Sequence, residues 1–229
     1  MTMRREILAT AAVAALATQI DSAAAQTAPP KVDYPIRKLA FDPAKVKGLS
    51  EKMLVSHYEN NYSGAVKRLN AITGQLAELD MAKAPVFTIN GLKREQLIAM
   101  NSMILHELYF DGLGGEGGPS GKLAEALARD FGTVERWQAE FTAVAKALGG
   151  GSGWVLLSWS PHDKRLVNSW AADHTMTIAG GRPILALDMY EHAYAIDYGA
   201  KAPAYVDATM MAIRWDNAAA LYEKYSQEA

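Results

Sequence analysis

The stretch ILALDMYEH, residues 184–192, constrains this chain more than any other. Four apolar residues, Ile184 to Leu187, read as a buried strand, and the run delivers a carboxylate, Asp188. Carrying a carboxylate into an apolar interior costs several kcal/mol unless a partner compensates it. Four residues on stands His192, which one helical turn would bring to the same point. Alone, such a pair is more often a local salt bridge. The fold must supply whatever else Asp188 meets.

Composition narrows what that can be. The chain has 229 residues, half of them hydrophobic, enough to bury the core of one or two domains. It contains no cysteine, so disulfides, thiolate metal sites and cysteine nucleophiles are excluded. Any metal must rest on histidine and carboxylate, and there are only five histidines: His57, His106, His162, His174 and His192. A formal net charge of −2 leaves no basic stripe for nucleic acid.

Residues 1–25 read as an export signal. Arg4 and Arg5 precede an alanine-rich, mildly apolar stretch, and Ala23–Ala25 supply small residues for cleavage before Gln26. The stretch is too short and too weakly apolar to span a bilayer. Thr2–Leu8 resembles a twin-arginine signal; in an ordinary secretory signal the two arginines would supply only the charged end. The mature chain is expected to be periplasmic or secreted, with no membrane association.

The next segment is punctuated by Pro29, Pro30, Pro35 and Pro43 and reads as an extended arm. From Ser50, a plausible N-cap, Leu54, Tyr58, Tyr62, Ala65, Leu69, Ile72, Leu76 and Leu79 form one helical stripe. A loop with Pro85 and Asn90-Gly91 follows. A second helix from about Lys93 to Phe110 has two apolar faces, one with Leu97, Ile104 and Leu108, the other with Ala99, Met103, Tyr109 and Phe110, and is expected to lie between layers. DGLGGEGGPSG (111–121) is a linker. Two helices ended by Gly149–Gly151 come next, then a β-hairpin around residues 161–164 and a third strand, RPILALD. Helix resumes near Asp188, and a last helix covers about Pro203 to Tyr225. The expected fold class is α+β: an arm and helical hairpin over 26–112, then an α/β domain over 113–229 with a small three-stranded antiparallel sheet.

His57 and His106 each read alone as a hydrogen-bonded core or boundary residue. Together they say more: two helices each bring an apolar-face histidine, His57 and His106, to a fold whose buried strand ends in Asp-x-x-x-His. Three imidazoles and one carboxylate suit iron, manganese or zinc, and not calcium or magnesium. A trivalent ion with one carboxylate keeps net positive charge and attracts a small anion.

At this point the chain resembles the iron/manganese superoxide dismutases. SHYENNYSGAVKRLN (56–70), LHELYF (105–110), GGEGGPSGKLAEA (114–126), GSGW (151–154) and DMYEHAY (188–194) carry the resemblance, with Tyr190 where the family signature has tryptophan. The resemblance implies that His57, His106, Asp188 and His192 hold one iron ion per subunit, with manganese as the alternative. It implies superoxide as substrate and a homodimer, or a tetramer, in which Glu191 reaches the partner's ligand histidine. It also implies that His174 hydrogen-bonds metal-bound solvent, with Ser102 small enough to leave it room. His162 reads as surface. Zinc hydrolysis with His174 or Glu191 as base is the less suitable alternative, because this set has four protein ligands where catalytic zinc commonly uses three and an open place.

Three positions depart from the family. Asn61 stands where a histidine is usual, Ala195 where that histidine's cross-subunit tyrosine is usual, and Ala65 where a tyrosine guards the substrate funnel. Tyr58 and Tyr62 share a helix face and are expected to refill part of that space, Tyr62 as a candidate catalytic residue. Phe110, Leu156 and Tyr190 replace tryptophans. These changes touch proton supply rather than the metal, and leave open a metal-binding relative with weak or no dismutase activity.

Overall fold

A computed structural model describes residues 32–228; the export signal expected at 1–25 lies outside them. The arm runs without regular structure to a short 3-10 turn, Pro43–Lys45. Ser50 caps α1 (Glu51–Ser56), its Oγ accepting from the Met53 amide at 3.1 Å. Its hydroxyl donates in turn to Asp197 at 2.6 Å, which ties the first helix to the far end of the chain.

The single long helix expected from Ser50 is interrupted. Residues His57–Tyr62 form a wide π turn, in which the Ser63 amide reaches back five residues to the Tyr58 carbonyl, and α2 (Ser63–Glu78) continues beyond it. Side chains close the widened turn: Asn60 Nδ2 donates to the Ser56 carbonyl at 2.9 Å, and Ser63 Oγ to the Tyr58 carbonyl at 3.0 Å. One inserted residue rotates everything downstream by about 100°. Such insertions cost helix stability and concentrate at functional sites. A period-3.6 reading has no means of registering it.

The next helix, α3 (Val86–Asp111), begins earlier than expected, with Pro85 as N-cap. Asn90-Gly91, read as part of a loop, lies inside it, where Gly91 meets open space. Proline at the helix start and packing of α3 against α2 outweigh the turn propensity of that dipeptide. Nor is α3 sandwiched along its length. Ala99, Met103, Tyr109 and Phe110 are buried, but Leu97 and Ile104 are each 47% exposed.

Beyond the glycine-rich linker, α4 (Gly121–Phe131) and α5 (Val134–Ala147) pack against a three-stranded antiparallel sheet in the order β2-β1-β3. Its strands are β1 (Trp154–Ser160), β2 (Arg165–Ala171) and β3 (Arg182–Asp188). Every residue of the central strand β1 is buried. The register sets Trp154, which opens β1, opposite Asp188, which closes β3. Gly153 makes this possible: at φ +136° it passes so near β2 that a Cβ would fall 2.0 Å from the Ala171 carbonyl. Its own carbonyl accepts from the Met189 amide at 2.9 Å.

The final helix divides into α7 (Ala202–Met211) and α8 (Trp215–Gln227), after a short α6 (Ala195–Tyr198). The break has a tertiary cause. The Ala212 carbonyl accepts from the Gly115 amide and the Arg214 amide donates to the Gly112 carbonyl, so groups that would continue the helix bond the linker instead. A Cβ on Gly115 would meet the Arg214 Cα at 2.5 Å. Residues on both sides of the linker share one continuous core.

Candidate metal centre

The four residues expected from the sequence come together: one ligand atom from each of His57, His106, Asp188 and His192 lies within 4.8 Å of all the others. His57 comes from the π turn, His106 from α3, Asp188 from the end of β3 and His192 from a 3-10 turn, Glu191–Ala193. The Asp188–His192 pair is therefore not one α-helical turn. Asp188 is still strand; its Oδ1 accepts from the Tyr190 amide at 2.8 Å, and the chain bends back over it.

Asp188 Oδ2 sits at the centre. Nε2 of His57, His192 and His106 stand 3.1, 3.3 and 3.5 Å from it. Two ligands bound at about 2.1 Å to one first-row ion are this far apart at ligand–metal–ligand angles of roughly 95–113°. Hydrogen bonding alone does not explain the cluster, because Nε2 of both His57 and His106 is buried without a hydrogen-bond partner among the described residues. A buried nitrogen at contact distance from a carboxylate, yet not aligned to donate, is what a shared cation would leave. The donor set thus fits the ion implied.

The electrostatics agree. Burial pushes His106 down to about 3, helped by His57 alongside, and burial likewise lowers His57 against the pull of Asp188. Both imidazoles stay neutral, with a lone pair to give. Burial would raise Asp188, but neighbouring His192 and His57 outweigh it and hold the carboxyl well below its usual range. The His106 tautomer follows from its partner: Nδ1 donates to the Ser102 carbonyl at 2.6 Å, which can only accept, so Nε2 carries no proton.

His174 stands at the edge of this cluster, its ring 6.0 Å from that of His106. The indole N–H of Trp154 donates to His174 Nδ1 at 2.9 Å. Indole is a donor only, so His174 is the neutral tautomer with its proton on Nε2. Burial lowers its pKa in the same sense. Asn101 Nδ2 donates to the His174 carbonyl at 2.6 Å, and Tyr190 stacks between His174 and His192 at 4.8 and 5.3 Å. Reading the sequence alone missed Trp154 and Asn101 as parts of the site. GSGW was visible as a strand opening, but the cross-strand register that aims Trp154 at the cluster was not.

Other candidates are placed differently. Tyr62 is buried, but its hydroxyl donates to Glu107 at 2.9 Å and accepts from the Arg37 amide at 2.9 Å, so neither partner belongs to the cluster. Burial pushes its pKa up to about 12. Tyr58, 5.5 Å away, donates to the Arg37 carbonyl; both rings flank Phe110 and secure the arm. Glu191 is exposed and its carboxylate makes no hydrogen bond among the described residues, while the His192 side chain is 27% exposed. Asn61 is half-buried, Ala65 buried and Ala195 exposed. The His162 side chain is 93% exposed and pairs with Asp163.

A family model for the C-terminal domain of iron/manganese superoxide dismutases matches residues 119–221. An iron superoxide dismutase from Cupriavidus metallidurans is 70% identical over 186 residues, 81% of this chain and 94% of the relative. The chain belongs to the iron/manganese superoxide dismutase family. Both metal classes occur among its family relatives: manganese superoxide dismutase 1 of Haloferax volcanii is 35% identical over 84% of this chain and 96% of its own length. An iron superoxide dismutase of Aquifex pyrophilus is 34% identical over 80% and 88%. The family's α+β architecture is the one described above, helical first and then helices around a three-stranded antiparallel sheet.

Proposed function

We propose that the protein dismutates superoxide to dioxygen and hydrogen peroxide at one iron ion per subunit, with manganese as the alternative, held by His57, His106, Asp188 and His192. The observation that carries this reading is the convergence of three imidazole nitrogens, two of them otherwise unpartnered, on one buried carboxylate oxygen. When bound, the ion supplies one-electron cycling between its trivalent and divalent states. Asp188 contributes the only negative charge to that set, so the loaded site stays positive and draws in an anion. Ser102 orients His106 through Nδ1. Trp154 and Asn101 hold His174 so that its Nε2–H is the donor available to an oxygen at the site, a bond that tunes the centre from outside the ligand set.

Glu191 and the open face of His192 support a homodimer in which Glu191 bonds the partner's ligand histidine. A tetramer would need a further interface. The arginine pair, the alanine-rich stretch and the small residues before Gln26 support export to the periplasm or medium by the twin-arginine route; lysines at Arg4 and Arg5 should then stop export, and unchanged export would reject that route.

A second reading, a metal-binding relative with weak activity, is favoured by Asn61, Ala65 and Ala195 together with the engagement of the Tyr62 hydroxyl by Glu107 and Arg37. Pulse radiolysis of protein starting at Gln26 and loaded with iron or manganese separates the two. The leading reading expects one ion per chain and catalysed superoxide decay at many turnovers. One ion without catalysis supports the second reading, and failure to bind either ion rejects both.

A further inference from the structure

A chain that makes hydrogen peroxide beside buried histidines needs somewhere for stray oxidising equivalents to go. This one has no cysteine to serve as a thiol sink, but ten tyrosines. Two of them, Tyr109 and Tyr205, are 1% and 0% exposed. The Tyr109 ring lies 5.2 Å from that of His57. The Tyr205 hydroxyl donates to the Tyr109 hydroxyl at 3.1 Å. Two phenylalanines would fill that space without burying a pair of hydroxyls that satisfy mainly each other. Beyond Tyr205, the Tyr194 ring stands 5.5 Å away and the Tyr198 ring 6.1 Å. Tyr198 is half-buried, and its hydroxyl donates to the Gly48 carbonyl. A line of phenols thus runs from a residue of the metal cluster to the solvent side of the fold. An ordinary tyrosine is protonated at neutral pH, so each is a phenol with a hydrogen atom to lose.

We propose that Tyr109 and Tyr205 form a radical sink that protects the histidines of the metal cluster against the peroxide made there. This rests on the metal reading of the site. The chemistry balances in three steps. Peroxide that takes one electron from the reduced centre, together with a proton, gives water and a hydroxyl radical. That radical abstracts the Tyr109 phenolic hydrogen, giving a second water and a Tyr109 phenoxyl. The Tyr205 hydrogen then moves along the existing hydrogen bond, which restores Tyr109 and leaves the radical on Tyr205. A small hydrogen-atom donor such as ascorbate regenerates the Tyr205 phenol and becomes a radical itself, with Tyr198 as the ring nearest solvent.

The test adds hydrogen peroxide to the reduced, iron-loaded protein, with freeze-quench EPR for radicals and peptide mass spectrometry for oxygen addition. Wild-type protein grown with ring-deuterated tyrosine should give a signal narrowed by the label, and ascorbate should discharge it. Tyr109→Phe should lower the radical yield at least fivefold and at least double the oxygen added to His57 and His106. Tyr205→Phe should retain a Tyr109 radical that outlives the wild-type signal under ascorbate. Tyr222→Phe, remote from the cluster, should match wild type. The proposal is overturned by a label-insensitive signal, such as a radical on Trp154. It is equally overturned if Tyr109→Phe leaves both radical yield and histidine oxidation at the Tyr222→Phe level. Iron content and superoxide decay on the same samples keep the two readings apart. Because peroxide is added, tyrosine dependence without dismutation would reject the proposed activity and leave the sink standing.

Discussion

Trp154→Phe removes one donor from the site and no ligand, which makes it the sharpest perturbation of the geometry around His174. Two terms set its size. The indole N–H to Nδ1 bond, 2.9 Å long, is a neutral hydrogen bond with a net value of about 0.5–1.5 kcal/mol, and the lower half applies because His174 is partly open to water. Trp154 has no exposed surface, so trimming indole to phenyl leaves a void. At about 24 cal/mol per Å³, a residual space of roughly 40 Å³ adds about 1 kcal/mol, and lost transfer energy a similar amount. The metal-free protein should lose about 2–3 kcal/mol in urea denaturation, with metal stoichiometry unchanged. The second readout is the tautomer. In zinc-loaded, diamagnetic protein with labelled histidine, wild-type His174 should carry its proton on Nε2. In the variant, losing about 1 kcal/mol of bias should let the Nδ1–H form appear at roughly a fifth or more of the population. A wild-type His174 protonated at Nδ1, or a tautomer indifferent to the substitution, would refute the reasoning.

Asp188→Ala should cut metal affinity by more than tenfold, since it removes the only charged donor among the four groups; stoichiometric iron or manganese after dialysis would contradict the ligand assignment. The metal-free protein should weaken in acid. His106 is held near 3 when folded and titrates near 6.5 when unfolded, so the unfolded chain binds more protons between those values. That contribution is complete above about pH 6.5 and lost as pH falls towards 3, with burial of His57 acting in the same direction. Melting temperatures should therefore drop from pH 7 to 5, and His106→Gln should flatten the drop; a rise would reverse the argument. Glu191→Ala should shift sedimentation at micromolar concentration from dimer towards monomer, and a monomeric wild type would remove the premise. Asn61→His with Ala195→Tyr should speed the peroxide-forming half-cycle by more than the two single changes combined, as coupled residues do; strict additivity would show that other groups already carry the protons.

Much of this protein was legible because its main signals are local. A stripe repeating every three or four residues, a glycine-rich linker and three apolar runs bounded by turn residues specify hairpin, linker and sheet. They do so because burial acts on every residue of an element in the same sense. Asp188 was conspicuous for the same reason: a carboxylate ending an apolar run needs a partner, and only a few histidines were available to provide one. What required the tertiary structure was whatever depends on two distant segments at once. The break between α7 and α8 and the helical fate of Asn90-Gly91 follow from hydrogen bonds and packing to other segments; the π turn at His57 is closed by local bonds of Asn60 and Ser63 that a stripe of apolar residues does not register. Tyr62 looked like a free phenol until Glu107, 45 residues away, and the arm at Arg37 took its hydroxyl. Trp154 joined the site through a register in which Gly153 lets β1 approach Ala171 until Trp154 faces Asp188. Local composition sets which groups can be buried, whereas the direction in which a buried hydrogen bond points is decided only when the other strand arrives.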